Sequence, residues 1–355
     1  MKKTLAAVAI LGAFAGSALA DVQVYGLVDL GFGYTHSDDG TDSFAMKSGQ
    51  DSASRIGFIA SEKIGDMTVG VKMENSFAAD TGLEQKKDKD NSFFNRETRL
   101  FVKGAYGEVG FGRFGTLTST TGPYNLGGGS MHATTGVAST GDTSLIFLGQ
   151  DTRRENSVTY KSPTFGGVTV YANYATAEAK ENHHEGNRYY AVGAAYKAGA
   201  LNVQGYVSLV DGADEADGVE KGTESKAYAL GASYDFGVTK AFVAAQYFDN
   251  AKYDAGWIET DASEQVKGYG FTVGAKTPVV GGVLTTQVGY MDAEALEDKE
   301  VKADTWSLAA QYHYPLSKRT TVYAAAGYVV KNAEDGAEKW DDKTFNAGFG
   351  MIHNF

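Results

Sequence analysis

The chain of 355 residues contains no cysteine, only four prolines and, beyond its first twenty residues, no long apolar run. The missing cysteines exclude a disulfide scaffold, a thiol nucleophile and a thiolate-ligated metal. Scarce proline removes the residue that most often interrupts a β-ladder, because proline has no N–H to donate. No segment after residue 20 reaches the ~18 consecutive apolar residues of a membrane-spanning helix. Basic charge is also short. Lys and Arg number 32 against 44 Asp and Glu, which argues against a nucleic-acid partner, since that needs a basic face.

What is present begins with a leader. MKK supplies a positive start, TLAAVAILGAFAG a short apolar run, and Ala18-Leu19-Ala20 a small-residue cleavage site before Asp21. Residues 1–20 are therefore expected to be a secretory signal peptide, cleaved after Ala20. Without Lys2 and Lys3 the balance is 30 basic against 44 acidic residues, a net charge of −14.

The remainder is rich in Gly (45), Tyr (21) and Phe (19) and has period-two patterning. DVQVYGLVDLGFGY alternates Val24, Val28, Leu30, Phe32 and Tyr34 with Gln23, Tyr25 and Asp29. KAYALGASYDF, WSLAAQYHY and FNAGFGMIHNF alternate likewise, with large apolar residues on one face and small or polar ones on the other. The connections alternate in length. Seven are tight, near KIGD, AYGE, SPTFGG, KAGA, DFGVT, TPVVGG and YPLSK. Eight are longer: roughly 35–52, 78–92, 115–152, 178–187, 211–225, 251–264, 292–302 and 332–343. Seven short turns and eight long loops join sixteen strands up and down, with short turns on one rim and charged loops on the other. That asymmetry belongs to outer-membrane barrels rather than to a soluble sandwich. The expected fold is all-β: a 16-stranded antiparallel up-and-down transmembrane β-barrel, built from residues 21–355 as one domain.

Some motifs do not carry the function they suggest. GFGRFG at 110–115 matches G-x-G-x-x-G, but no helix follows to cradle a phosphate. Glu181, His183, His184 and Glu185 cluster in one charged connection and read as solvated surface rather than a metal site. His132, near Ser130, offers only weak support for nucleophilic catalysis. No cofactor, metal or enzymatic activity is expected.

The stretch GPYNLGGGSMHATTGVASTGD, 122–142, is unusual. Between 116 and 150 the only Asp, Glu, Lys or Arg is Asp142. It occupies the third and longest connection.

A likeness is carried by a series of segments in order. These are DVQVYGLVDLG, SRIGF, ETRLFVKGAYGEVGFGRFGT, RRENSVTYKSPTFGGV, YPLSKRTTVYAAAGY and the terminal GMIHNF. Through them the chain resembles the Gram-negative general porins of the neisserial and betaproteobacterial type. The resemblance implies a homotrimer of barrels in the outer membrane, among lipopolysaccharide, each a water-filled pore for passive diffusion of ions and small hydrophilic solutes. It implies that the third loop, 115–152, folds into the lumen and faces arginines on the opposite wall. It also implies that Phe355 belongs to a signal read by the outer-membrane barrel assembly machinery.

The resemblance puts Arg55, Arg99 and the arginine opening RRENSVTY on the basic wall. Strand phase sets Arg55 opposite Ile56 and Phe58, and Arg99 opposite Leu100 and Val102. Arg153 shares a face with Ser157, Thr159 and Lys161, whereas Arg154 shares one with Val158 and Tyr160. A lipid-facing Arg costs ~2–4 kcal/mol at the midplane, so Arg153 is the expected wall residue. Arg113 shares the parity of Val109 and Phe111 and needs a bulge to turn inward. Asp29 and Glu97 are expected in the lumen with Lys161, and Tyr124, Asn125, His132 and Asp142 on the constriction loop. A basic wall facing a loop with one acid should give weak selectivity leaning toward anions. The rivals are a substrate-selective channel for sugars or organic anions, and an enzyme or adhesin anchored by a barrel.

Overall fold

A computed structural model describes residues 21–84, 93–129, 131–133, 143–176, 188–211, 224–253 and 264–355. The leader 1–20, Asp142 and the cluster 181–185 lie outside the described residues.

The first strands are β1 (Asp21–Ser37), β2 (Asp42–Ser48), β3 (Arg55–Ile64), β4 (Met67–Ala78), β5 (Leu83–Glu84) and β6 (Glu97–Gly104). They continue as β7 (Gly107–Phe114), β8 (Arg154–Lys161), β9 (Val168–Ala175), β10 (Tyr189–Ala198), β11 (Leu201–Val210) and β12 (Ser225–Asp235). The last are β13 (Lys240–Tyr253), β14 (Glu264–Val279), β15 (Gly282–Ala295), β16 (Val301–Pro315), β17 (Thr320–Asp335) and β18 (Glu338–Asn354).

Each wall strand pairs antiparallel with its neighbours, and β1 pairs with β18, so the sheet closes on itself. Strands β2 and β3 share one wall position: β2 pairs with the second half of β1 and β3 with its first half. The two-residue β5 only extends the end of β4. The result is a closed antiparallel barrel of sixteen wall strands with one extra strand.

Alternation separates the two faces. Val192, Leu230, Val273 and Leu308 are exposed on one face, Leu230 and Val273 each at 61%. Tyr174 and Tyr190 are cross-strand neighbours with ring centroids 5.1 Å apart, and Tyr290 and Trp306 lie 4.3 Å apart. They form part of an aromatic belt of the kind that flanks a lipid-facing band. The opposite face carries Thr169, Asn173, Gln204, Ser208, Gln246, Thr272 and Gln287, all buried.

Two charged stretches expected as long loops are mostly strand. Strands β15 and β16 are separated only by 296–300, and β17 and β18 turn over two residues at Gly336, φ +56°. Opposite charges across the ladder carry the pairing outward: Lys339–Glu334 at 3.0 Å, Lys302–Glu334 at 3.8 Å and Lys331–Asp342 at 3.9 Å. The stretch expected as the loop 35–52 contains β2, where Phe44 stacks on Phe32 at 5.5 Å.

The described part of connection 115–153 packs against the polar-and-small face. Its Leu117, Leu126, Met131, Ile146 and Phe147 are fully buried, in one cluster with Tyr189, Tyr206, Phe248 and Met291 of the wall. Burying such side chains stabilises by roughly 1.5–3 kcal/mol each. Gln204 donates from Nε2 to the Leu126 and Gly128 carbonyls, and the Ala133 N–H donates to Gln287 Oε1 at 3.0 Å. Wall glycines make the approach possible. A Cβ at Gly270 would lie 2.1 Å from the Ile146 carbonyl oxygen, and one at Gly193 would lie 2.4 Å from Leu126 Cδ1.

His132 belongs to this contact. Its Nδ1 lies 2.9 Å from Thr272 Oγ1, its ring packs edge-on to Phe147, and its buried Nε2 has no partner among the described residues. Burial pushes it from the ordinary 6.5 down to about 3.

A leucine at Gly270 should force the connection off the wall and lower the thermal midpoint of the refolded barrel. The expected loss is about 1–3 kcal/mol, while leucine at the outward Ala245 leaves the midpoint near wild type. His132 should make the docking acid-sensitive. Its folded value is depressed, so the stability its neutral form supports is complete above about 6.5 and is lost as pH falls toward 3. The midpoint difference between wild type and His132→Gln should therefore change between pH 7 and pH 4.5, with wild type losing more; a constant difference would exclude the effect.

Candidate pore constriction

Strands β3, β4 and β6 bring a group of charges to the buried face at one level. A cavity of about 430 Å³ is lined there by Arg55, Lys72, Arg96 and Arg153 with Glu74 and Glu97. The third connection adds backbone and small side chains to the lining: Gly115, Thr121, Gly122 and Pro123. Tyr25, Leu27 and Asn354 complete it near the chain end. Four cations against two carboxylates leave an excess of two positive charges in the lining.

The pairing inside this group is uneven. Arg96 Nε meets Glu74 Oε1 at 2.5 Å, and Lys72 Nζ meets Glu97 Oε2 at 2.9 Å. Arg55 instead donates from Nη2 to Ser52 Oγ at 3.1 Å, and Arg153 donates from Nε to the Arg96 carbonyl at 3.0 Å. Neither has a carboxylate within ion-pair distance among the described residues. Burial, and secondarily the Arg96 charge, push Arg153 down to about 10, which leaves it cationic at neutral pH. Like charges held together in this way form a locally positive field.

Arg99 occupies a different position. Its guanidinium reaches Glu97 at 2.7 Å, Glu108 at 2.5 Å and the Tyr124 hydroxyl at 2.9 Å, and it stacks on the Phe101 and Tyr124 rings. Tyr124 also donates to Glu108 Oε1 at 2.7 Å. A Cβ at Gly110 would lie 2.2 Å from that hydroxyl, so the small wall residue admits the ring. Arg99 thus holds the connection to the wall, with its own charge balanced, outside the cavity lining.

The other expected residues are distributed around this centre. Arg113 bonds the Asn95 carbonyl at 3.3 Å and Glu155 at 3.1 Å. The ladder beside it shifts register between Gly112 and Phe114, and Asn156 opposite has φ +51°. Arg154 pairs with Asp151 and lies over the Tyr189 ring. Asn125 donates to the Thr120 carbonyl at 2.9 Å, within its own connection. Lys161 Nζ sits 5.7 Å from the Tyr171 ring centroid, away from the cavity. Asp29 is 0% exposed and accepts from the Asp51 and Ser52 N–H groups and from the Tyr323 hydroxyl. Phe355 is 48% exposed, and its backbone N–H and carbonyl both bond Gly26.

Sequence reasoning missed Lys72 and Arg96. Strand phase could have found Lys72, which shares the face of Glu74 opposite Val71 and Met73. Arg96 precedes β6 and lies beyond the reach of any strand phase.

Comparison with known proteins agrees with this architecture. An outer membrane porin protein of Bordetella pertussis is 27% identical, with all of both chains covered. A structure described as an anion-selective porin from Comamonas acidovorans superposes with a TM-score of 0.70 at 22% identity, covering 95% of this chain and 100% of that one. The trimer form of OmpT from Vibrio cholerae has a TM-score of 0.62 at 17% identity, covering 96% and 100%. A family model described as Gram-negative porin matches residues 5–334, nearly the whole barrel, and the chain belongs to that outer-membrane family.

Proposed function

We propose that the 430 Å³ cavity is the constriction of a water-filled diffusion channel that passes ions and small hydrophilic solutes with a weak preference for anions. The observation that carries this reading is the excess of positive charge in the cavity lining, to which the third connection contributes no acid. In this reading connection 115–153 is an in-folded eyelet. Its support is the burial of Leu126, Met131 and Ile146 against the face opposite the exposed apolar band. Arg55, Arg96 and Arg153 with Lys72 form the basic wall, and Arg99 and Tyr124 clamp the eyelet to it. Asp142 adds one acid to the same connection. The Comamonas porin is described as anion-selective, and the same lean is proposed here from the charges themselves.

The working unit in this reading is a homotrimer, as in the OmpT trimer form. Exposed Phe44 and Phe349, packed on half-buried Phe32, offer an outward apolar surface on β1, β2 and β18 for subunit contact. Residues 1–20 act as the cleaved leader, Phe355 as the assembly signal, and lipopolysaccharide surrounds the outer rim. The histidines and carboxylates take part as wall chemistry, without a catalytic role.

Purified protein in planar bilayers should give stepwise conductance and a reversal potential, in a salt gradient, that leans toward anions. Arg153→Gln or Arg55→Gln should lower the anion-to-cation permeability ratio by about two- to five-fold, the scale of one unit charge in water; an unchanged ratio in both would refute this basic wall. Arg99→Gln should behave differently. It leaves Glu108 without its cation, Glu97 with Lys72 alone, and the Tyr124 hydroxyl without its donor. The measurement to make is open-channel noise with the thermal midpoint, and both should worsen, with a loss of about 3–5 kcal/mol on breaking a buried pair.

A further inference from the structure

A second segment leaves the wall toward the buried face. Strand β2 pairs with 30–36 of β1 and β3 with 21–27, and residues 49–54 bridge the gap without joining the ladder. Asp29 fixes this bend. Its Oδ2 accepts the N–H groups of Asp51 and Ser52 at 2.9 Å each, its Oδ1 accepts the Tyr323 hydroxyl at 2.7 Å, and its own N–H donates to Ser54 Oγ at 3.0 Å. The Gln50 side chain lies across small wall residues: a Cβ at Gly33 would be 2.5 Å from its Oε1, and one at Gly348 would be 2.8 Å away.

The bend carries Asp51 over β18 and β17 to β16, where its carboxylate meets Gln311 Nε2 and, at 3.2 Å, His313 Nε2. Three strand spacings separate β1 from β16, roughly 14 Å along the wall. Lys276 lies within electrostatic reach of Asp51 and stands cross-strand from Lys240, both over the Phe242 ring. Neither lysine has an ion-pair partner among the described residues. The neighbouring Ser52 is the acceptor for Arg55. One bend therefore presents a carboxylate on one side and orients a constriction arginine on the other.

We propose that the bend 49–54 is a second selectivity element, in which Asp51 supplies the lumen carboxylate that offsets the cations and keeps the anion preference weak. This rests on the channel reading above. The described part of the third connection brings only Asp151, which Arg154 neutralises, so the counter-charge comes from the first connection instead. Two glycine-lined strands and a buried aspartate hold it there. Asp51 acts on permeant ions by charge, while Asp29 is a positioning residue that acts through it.

Reversal potentials of wild type, Asp51→Asn and the exposed control Asp39→Asn test the inference in one salt gradient. Asp51→Asn keeps the size and most hydrogen bonds of the side chain but loses its charge. It should raise the anion-to-cation permeability ratio by about two- to five-fold at 0.1 M salt, whereas Asp39→Asn leaves the ratio near wild type. Lys276→Gln should move it the other way. Asp51→Ser serves the same purpose if the asparagine variant does not refold. A neutral variant at 51 whose ratio matches that of the Asp39 control overturns the inference while the channel stands. Absence of stepwise conductance in wild type overturns the channel reading itself.

Discussion

Backbone N–H and C=O groups facing hydrocarbon must be paired within the protein, because lipid offers no partner and each unpaired group costs several kcal/mol. In this chain the demand is met at the seam where β1 pairs with β18 from Leu27↔Asn354 to Ser37↔Thr344. Closure there removes both sheet edges and fixes which side chains point in and which point out. Every later feature inherits that division. Leu230 and Val273 can be exposed only because they face lipid, and Gln204 and Thr272 are buried where the third connection meets them.

The seam has a weakness next to it, and the structure uses it. One wall position beside β1 is filled by two short strands instead of one long one. The intervening residues would leave N–H groups without partners, and buried Asp29 accepts two of them directly. A carboxylate with no exposure is costly unless its lone pairs are filled, and here the Tyr323 hydroxyl and the two N–H groups fill them. The break thus becomes a fixed inward bend. Gly31, Gly33 and Gly348 leave the space into which Gln50 of the bend folds, and Gly350 admits the Tyr323 ring.

Much of the barrel was legible because period two and the alternation of turn lengths are local signals. The same signals set Arg55 and Arg153 apart from their lipid-facing neighbours. Charge misled at 292–302 and 332–343, where Lys and Glu looked like loop and proved to be cross-strand pairs. The constriction was less legible, since its pairing depends on partners from other strands. Arg99 and Arg96 sit three residues apart in one segment. Glu108 of β7 and Tyr124 of the connection take up the first, while Glu74 of β4 leaves the second lining the cavity. The buried apolar residues of the connection were hidden too. Leu117, Leu126, Met131 and Ile146 follow no period, and the wall glycines that admit the last three are scattered over four strands.

Counting arginines therefore overstates the field in the pore. Arg99 and Arg154 are each held by carboxylates, and Arg96 is matched by Glu74. In the proposed channel, the charge that a passing ion meets comes from the cations whose hydrogen bonds go to neutral atoms, Arg55 to a hydroxyl and Arg153 to a carbonyl. Salt screens charge over a Debye length of about 10 Å at 0.1 M, so charges beyond that range contribute little. Charges that line the cavity itself act at close range. Under the proposed function, selectivity is then a small difference between a few lumen charges of both signs. A pore built this way admits many solutes and favours one sign only modestly.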